Sequence, residues 1–270
     1  MPELPEVETT RRGVAPLLTG RRLERIEVRQ PELRWPIPDT VEGLLPGRTL
    51  HAVERRGKYL LFRFDPADLI IHLGMSGSLR VLSDPPPAGK HDHVDFVFEN
   101  VTLRLRDPRR FGAVLLGAPR AEAHPLLAGL GTEPLGPDFD GDYLFERAAG
   151  RRVAVKSFLM DAKVVVGVGN IYANEALFAA GIRPTRAAGR VARARYQRLA
   201  ESVKATLQRA IEVGGTTLRD FADSAGQPGY FAQSLAVYGR AGECCLRCGG
   251  RLRDARVSQR ATVWCPVCQR

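Results

Sequence analysis

At 270 residues the chain is long enough for two domains that each bury a core, and 40 Lys+Arg against 30 Asp+Glu leave a formal charge of +10. That balance favours a polyanionic partner, nucleic acid before an acidic membrane, although a plain basic surface fits the same numbers. No apolar run reaches the ~20 residues of a membrane span and the N-terminus lacks a signal pattern, so a soluble cytoplasmic protein is expected.

The chain opens Met1-Pro2-Glu3-Leu4-Pro5-Glu6. Met1 precedes a small residue and is expected to be trimmed, which would leave Pro2 with a free secondary amine. An α-amino group has a pKa near ~8 against ~10.4 for lysine, so about a tenth is unprotonated at neutral pH. Attack of such an amine on a sugar C1′ gives a charged iminium, an electron sink for elimination, and Glu3 and Glu6 stand beside it to move protons. The same residues also suit an ordinary helix start, with proline in the first turn and acids at the positive end of the dipole. Leu4, Val7, Arg11, Val14 and Leu17 follow helical spacing, and Gly20 marks a stop.

From Arg48 to Arg106 the texture becomes that of short strands: 59–64, 69–71, 78–81, 94–98 and 101–105, separated by turn residues such as Asp65-Pro66 and Glu99-Asn100. Two packed antiparallel sheets or a flattened barrel follow. Lys58, in Arg55-Arg56-Gly57-Lys58-Tyr59, reads either as an edge-strand lysine or as a cation lowering the pKa of the Pro2 amine. Two glycine-flanked turns, His72-Leu73-Gly74-Met75-Ser76-Gly77 and Asp107-Pro108-Arg109-Arg110-Phe111-Gly112, present Met75 and Phe111. These side chains either pack in the core or act as wedges between base steps; the arginine pair at the second turn favours a wedge.

The stretch from Gly117 to Tyr143 is rich in Gly, Pro and Ala and reads as a linker. Helices are expected at 155–159 and 171–180. A third carries Tyr196, Leu199, Val203, Leu207 and Ile211 on one face and ends at Gly214-Gly215. Gly167-Val168-Gly169-Asn170 before the second helix is either a phosphate-binding turn with Asn170 as donor or a plain packing turn. Residues 216–238 read as a long loop. All five cysteines lie from Cys244 onward. Cys245-x2-Cys248-x16-Cys265-x2-Cys268 gives four thiolates on two knuckles, a closed tetrahedral site for one structural Zn2+. Cys244 is a spare. A hairpin between the knuckles would put Arg260 at its tip, either solvated or reaching a phosphate.

Taken in order, PELPEVET, RRGKYLLF, IIHLGMSGSL, KHDHVD, DPRRFG, LMDAKVVVGVGNIYANEALF, GGTTLRDF with PGYFAQ, and the four-cysteine end resemble the bacterial formamidopyrimidine-DNA glycosylases along essentially the whole chain. The resemblance implies an α+β protein with an N-terminal two-layer β-sandwich and flanking helices (1–117), then a linker (118–143). A helical domain with a helix–two-turn–helix and lesion loop (144–235) and a zinc finger (236–270) follow. It implies a monomer that grips double-stranded DNA carrying oxidised purines or abasic sites in a cleft between the domains, flips the damaged nucleotide out, and is nucleoid-associated.

By match to the family motifs, Pro2 is the Schiff-base nucleophile and Glu3 a proton donor and acceptor. Lys58 assists β-elimination, and Arg260 binds the flanking phosphate and assists δ-elimination. Met75, Arg109 and Phe111 match the inserted triad, and His91, Arg109, Arg151, Lys156 and Asn170 match DNA contacts; Arg151 matches in basic character alone. An endonuclease-VIII-like enzyme for oxidised pyrimidines is the nearest rival, but that branch begins PEGPE where this chain reads PELPE and keeps DPRRFG. A non-catalytic zinc-finger DNA-binding protein would keep the charge, the zinc and the wedges without needing Pro2.

Overall fold

The computed structural model describes residues 2–118, 120–215 and 234–270. Met1 and most of the expected loop at 216–238 lie outside them. The chain divides into two compact units, 1–129 with 213–232, and 130–212 with 233–270.

The first unit opens with helix α1 (Leu4–Leu18), followed by β1 (Leu23–Val28), a short α2 (Val41–Leu44), β2 (Ala52–Arg56), β3 (Tyr59–Arg63) and β4 (Asp68–His72). Strands β5 (Ser78–Leu82), β6 (Asp92–Phe98), β7 (Val101–Arg106) and β8 (Ala113–Gly117) complete its two sheets. One sheet runs β1-β6-β7-β5, the other β2-β3-β4-β8, and every neighbouring pair is antiparallel. Leu79, Val94, Phe96, Leu103 and Leu105 from the first sheet share one core with Leu60, Phe62 and Ile71 from the second, so the expected two-layer sandwich is what forms. Burying each such side chain is worth roughly 1.5–3 kcal/mol. Asp95 and Arg104 face each other across β6 and β7 and bond twice, at 2.8 and 2.7 Å, with Arg29 adding a third bond to Asp95 at 2.6 Å. This bidentate pairing is what lets a charged pair sit inside the sheet.

Strands β1 and β8 were not visible in the sequence pattern. Leu23–Val28 spaces its apolar residues with charges that face solvent, and Ala113–Gly117 falls at the edge of the glycine- and proline-rich stretch. Helix α1 also turns differently from the expected face: Leu4, Val7, Val14 and Leu18 are buried, whereas Leu17 is exposed.

Helix α1 packs on β2, β3 and β5. Its orientation is fixed by Glu8, which accepts from Arg11 at 2.8 Å, Arg12 at 2.9 Å and Arg55 of β2 at 3.2 Å. Arg11 also reaches the Val53 carbonyl at 3.4 Å.

The expected linker region carries a 3-10 turn (Ala121–Ala123) and a short helix α3 (Pro125–Ala128), both still in the first unit, and the second unit opens its helices with α4 (Gly141–Ala148). Helices α5 (Val155–Leu159), α6 (Asn170–Ala179) and α7 (Arg193–Glu212) follow near their expected positions. Tyr196, Leu199, Val203, Leu207 and Ile211 form the buried face of α7, as the spacing implies. Strands β9 (Arg253–Val257) and β10 (Arg260–Trp264) form the finger's hairpin. No helix among the described residues is long and apolar enough to cross a membrane.

Burial raises the Glu8 carboxyl pKa, but hydrogen bonds from Arg11 and Arg12 and the charges of Arg11 and Arg55 outweigh it and bring the pKa down to about 2. A depressed carboxyl contributes stability that is present above its ordinary 4.5 and lost as pH falls through about 2. Glu8→Gln is therefore expected to lower the denaturation midpoint at neutral pH and to flatten its decline between pH 4.5 and 2, as measured by urea titration of both proteins; parallel curves would contradict this.

Candidate active site

Pro2 is buried immediately before α1, whose N-cap is Glu3. The Glu3 backbone N–H donates to the Glu6 carboxylate at 2.8 Å, the reciprocal half of a capping box, and Glu3 and Glu6 are each 2% exposed. Gly215, in the left-handed region at φ +82°, approaches so closely that a Cβ there would lie 3.0 Å from a Glu6 carboxylate oxygen. The start of the chain is thus held in one direction by buried carboxylates.

Lys58 sits with Gly57 in the two-residue turn joining β2 to β3, beyond the Arg56–Tyr59 pair, and Gly57 takes φ +58° there. His72, opposite Tyr59 on β4, has its pKa lowered to about 4 by burial, then by the charges of Lys58 and Arg34. Its Nδ1 accepts from the Gly74 N–H at 3.0 Å, so at neutral pH the ring is uncharged and carries its proton on Nε2. Nothing in the sequence around His72 marks it as a buried, neutral histidine.

The Met75 and Phe111 turns come together through Asp107. This fully buried carboxylate accepts from Ser76 Oγ at 2.7 Å, from Gly112 N at 2.7 Å and from Arg109 N at 3.3 Å. Ser76 Oγ also accepts from Arg109 N at 3.2 Å. Gly74 lies against the Phe111 backbone, where a Cβ would come within 2.3 Å, so no larger residue fits. Phe111 stays 44% exposed with the Arg109 guanidinium 5.1 Å from its ring centre. An exposed aromatic is a side chain of the kind that wedges between base steps, and Met75 is half-buried on the adjoining turn. His91, half-buried, lines a groove of about 580 Å³ with Arg29, Lys90 and Arg110, and its carbonyl accepts from Asp107 N at 3.0 Å.

In the second unit Gly167 takes φ +80° in the turn before α6, and Asn170 is the first residue of that helix. Asn170 Oδ1 is buried without a hydrogen-bond partner among the described residues. Arg151 is exposed, donating to the Arg147 carbonyl at 3.0 Å. Lys156 is fully buried, and its ammonium donates into β10. Arg260 is exposed but does not form the hairpin's tip; Ser258 and Gln259, at φ +47° and +62°, do, and Arg260 begins β10 opposite Val257. Two successive left-handed residues make the tight turn whose twist suits a hairpin. Glu175 of α6, buried, accepts from the N–H groups of Ala236, Val237 and Tyr238 at 2.8, 2.9 and 2.8 Å, fixing that segment. Sequence reasoning missed Glu175, since a helical acid gives no sign that it is buried.

The sulfurs of Cys245, Cys248, Cys265 and Cys268 lie within 4.8 Å of one another. Tetrahedral coordination with Zn–S bonds of ~2.3 Å places sulfurs about 3.8 Å apart, so the cluster fits one zinc ion. Backbone N–H groups of Arg247 and Cys268 point at the Cys245 and Cys265 sulfurs, each at 3.4 Å, which suits thiolates. With four protein sulfurs the site has no open position, and the zinc is structural. Cys244 is exposed and outside the cluster.

Three family models cover this arrangement: the formamidopyrimidine-DNA glycosylase N-terminal domain over residues 1–114, the H2TH domain of the same glycosylase over 130–222, and the zinc finger found in FPG and IleRS over 242–270. The formamidopyrimidine-DNA glycosylase of Stutzerimonas stutzeri is 59% identical over 271 residues, covering 100% of both chains. The chain belongs to the formamidopyrimidine-DNA glycosylase family. The Halorhodospira halophila member is 60% identical over 272 residues, again covering 100% of both chains. Among solved structures, a Lactococcus lactis FPG variant in complex with Fapy-dG containing DNA matches with a TM-score of 0.92 at 34% identity, over 100% of both chains. MutM (FPG) from Thermus thermophilus matches with a TM-score of 0.89 at 39% identity, over 99% of this chain and 98% of that one. Like its family, the chain is a glycosylase and lyase enzyme that joins a β-sandwich to a helical domain and a zinc finger.

Because four thiolates meet only around the metal, zinc binding and folding of the finger are one process. Chelation is expected to abolish DNA binding while the β-sandwich keeps its cooperative unfolding transition. Gel-shift and calorimetric scans on the same sample check this; intact binding by metal-free protein would refute it.

Proposed function

We propose that the enzyme excises oxidised purines, 8-oxoguanine and formamidopyrimidines, from duplex DNA on the bacterial nucleoid and then cuts the strand at the resulting sugar. The observation that carries this reading is Pro2, buried at the mouth of a capped helix beside the buried Glu3, where removal of Met1 would leave its amine.

The chemistry follows from the residues. Loss of the base passes through an oxocarbenium-like sugar. The Pro2 nitrogen, freed by removal of Met1, attacks C1′ while Glu3 supplies a proton to the ring oxygen. The base departs with its bonding pair and picks up a proton, and the opened sugar is left as an iminium on Pro2. That cation acidifies the C2′ hydrogens. Loss of one of them expels the 3′ phosphate, with Lys58 assisting proton transfer. A second elimination expels the 5′ phosphate with Arg260 beside it, and water releases the sugar fragment from Pro2. The product is a one-nucleoside gap flanked by phosphates. Met75, Arg109 and Phe111 fill the space the nucleotide leaves, and His91, Arg151 and Asn170 hold phosphates. The neutral His72, with Nε2–H to offer, suits a phosphate oxygen as well. Zinc only shapes the finger.

The test is a lesion series combined with borohydride trapping. Cleavage of 8-oxoguanine opposite cytosine is expected to exceed that of thymine glycol, and wild-type protein is expected to become fixed to an abasic-site duplex. Pro2→Gly should trap at least tenfold less. Preference for thymine glycol would replace the purine reading with the pyrimidine one, and absence of trapping would leave only a binding protein.

A further inference from the structure

The hairpin that carries Arg260 is tied to the helical part of its own unit at three points outside the zinc site. Lys156 Nζ donates to the Ala261 carbonyl at 2.8 Å and to Thr262 Oγ1 at 2.7 Å. Thr262 Oγ1 passes the chain on, donating to the carbonyl of Arg260 at 3.1 Å. Ser157 Oγ and Ser258 Oγ lie 2.8 Å apart. Asn174 Oδ1 accepts from Val263 N at 3.0 Å, and Asn174 Nδ2 donates to the Asn170 carbonyl at 2.6 Å. Thr262 and Lys156 are fully buried and Asn174 is 1% exposed.

These ties are costly to build. Burying an ammonium is expensive, and a well-packed apolar set in place of the whole polar group often costs no stability. What the polar version adds is direction. A two-stranded hairpin alone is marginally stable, and a zinc site at its base leaves the far end free to rock. The Lys156–Thr262 relay ends on the backbone carbonyl of Arg260, and Asn174 joins the same strand to the first residue of α6.

We propose that Thr262, Lys156 and Asn174 are positioning residues that hold Arg260 at a fixed distance and angle from the Asn170 turn. This rests on the roles given above to Arg260 and Asn170 as phosphate-directed groups. Lys156 then acts on DNA through Arg260: its ammonium is buried and committed to β10. One loose phosphate contact would serve for binding. Two contacts at a set spacing select the backbone geometry in which the 5′ phosphate stands in line to leave.

The decisive comparison is Thr262→Val against Thr262→Ser on an abasic-site duplex. Valine keeps the shape and removes the relay; serine keeps the relay and loses a methyl group. Thr262→Val is expected to hold one zinc per chain and cross-link under borohydride within twofold of wild type. Its share of δ- over β-elimination product should fall at least fivefold, and Thr262→Ser should stay near wild type. A purely structural role reverses that order, since the packing loss then falls on serine, and that result overturns the proposal. Asn174→Leu, which cuts the other tie, is expected to reproduce the selective loss of δ product; an unchanged product ratio in both Thr262→Val and Asn174→Leu also overturns it. Failure of the underlying reading shows elsewhere: wild-type protein would then neither cross-link nor cut.

Discussion

The bond from the Glu3 backbone N–H to the Glu6 carboxylate, 2.8 Å long and buried, decides how the chain enters its first helix. A chain terminus ordinarily frays, because nothing upstream restrains it. Here the first turn is closed on itself, packed under Leu4 and Val7, and pinned to the sheet by Glu8 and its three arginines. An amine at Pro2 inherits that rigidity. The constraint that orders the terminus also places the carboxylates of Glu3 and Glu6 beside it.

The same device recurs at the other functional turns. Asp107 joins the Met75 and Phe111 turns, Glu175 gathers three backbone N–H groups, and Lys156 secures the finger. Each is a buried charged group whose partners are mostly backbone atoms or hydroxyls of a segment with little core of its own. Such groups add little net stability against a well-packed apolar alternative, but each admits one geometry. The exposed side chains that we propose face DNA, Phe111, Arg109 and Arg260, can therefore be mobile at their ends while their backbones are not.

This division explains what the sequence could reveal. The zinc ligands were legible because thiolate spacing is local, and β3–β7 and α7 because their periodicity reports burial directly. Asp107 and Ser76 are 31 residues apart, and Lys156 and Thr262 are 106 apart. A buried aspartate or lysine looks the same in sequence as a solvated one until its partner is known. The shift of the α1 face from Leu17 to Leu18 has a similar origin: spacing alone tolerates either, and the sheet beneath α1 chooses. The cysteine spacing implies a hairpin with Arg260 near its tip, but only the left-handed backbone of Ser258 and Gln259 marks the turn itself.

The central claim is that the N-terminal imino group forms the bond to deoxyribose. The most direct measurement is peptide mapping by mass spectrometry of the borohydride-reduced adduct with an abasic-site oligonucleotide. The account predicts a reduced sugar fragment on the nitrogen of Pro2, in a peptide that lacks Met1. A cross-link mapped to Lys58 or any other internal amine in fully active enzyme, or an intact Met1 on protein that cuts at full rate, would contradict it.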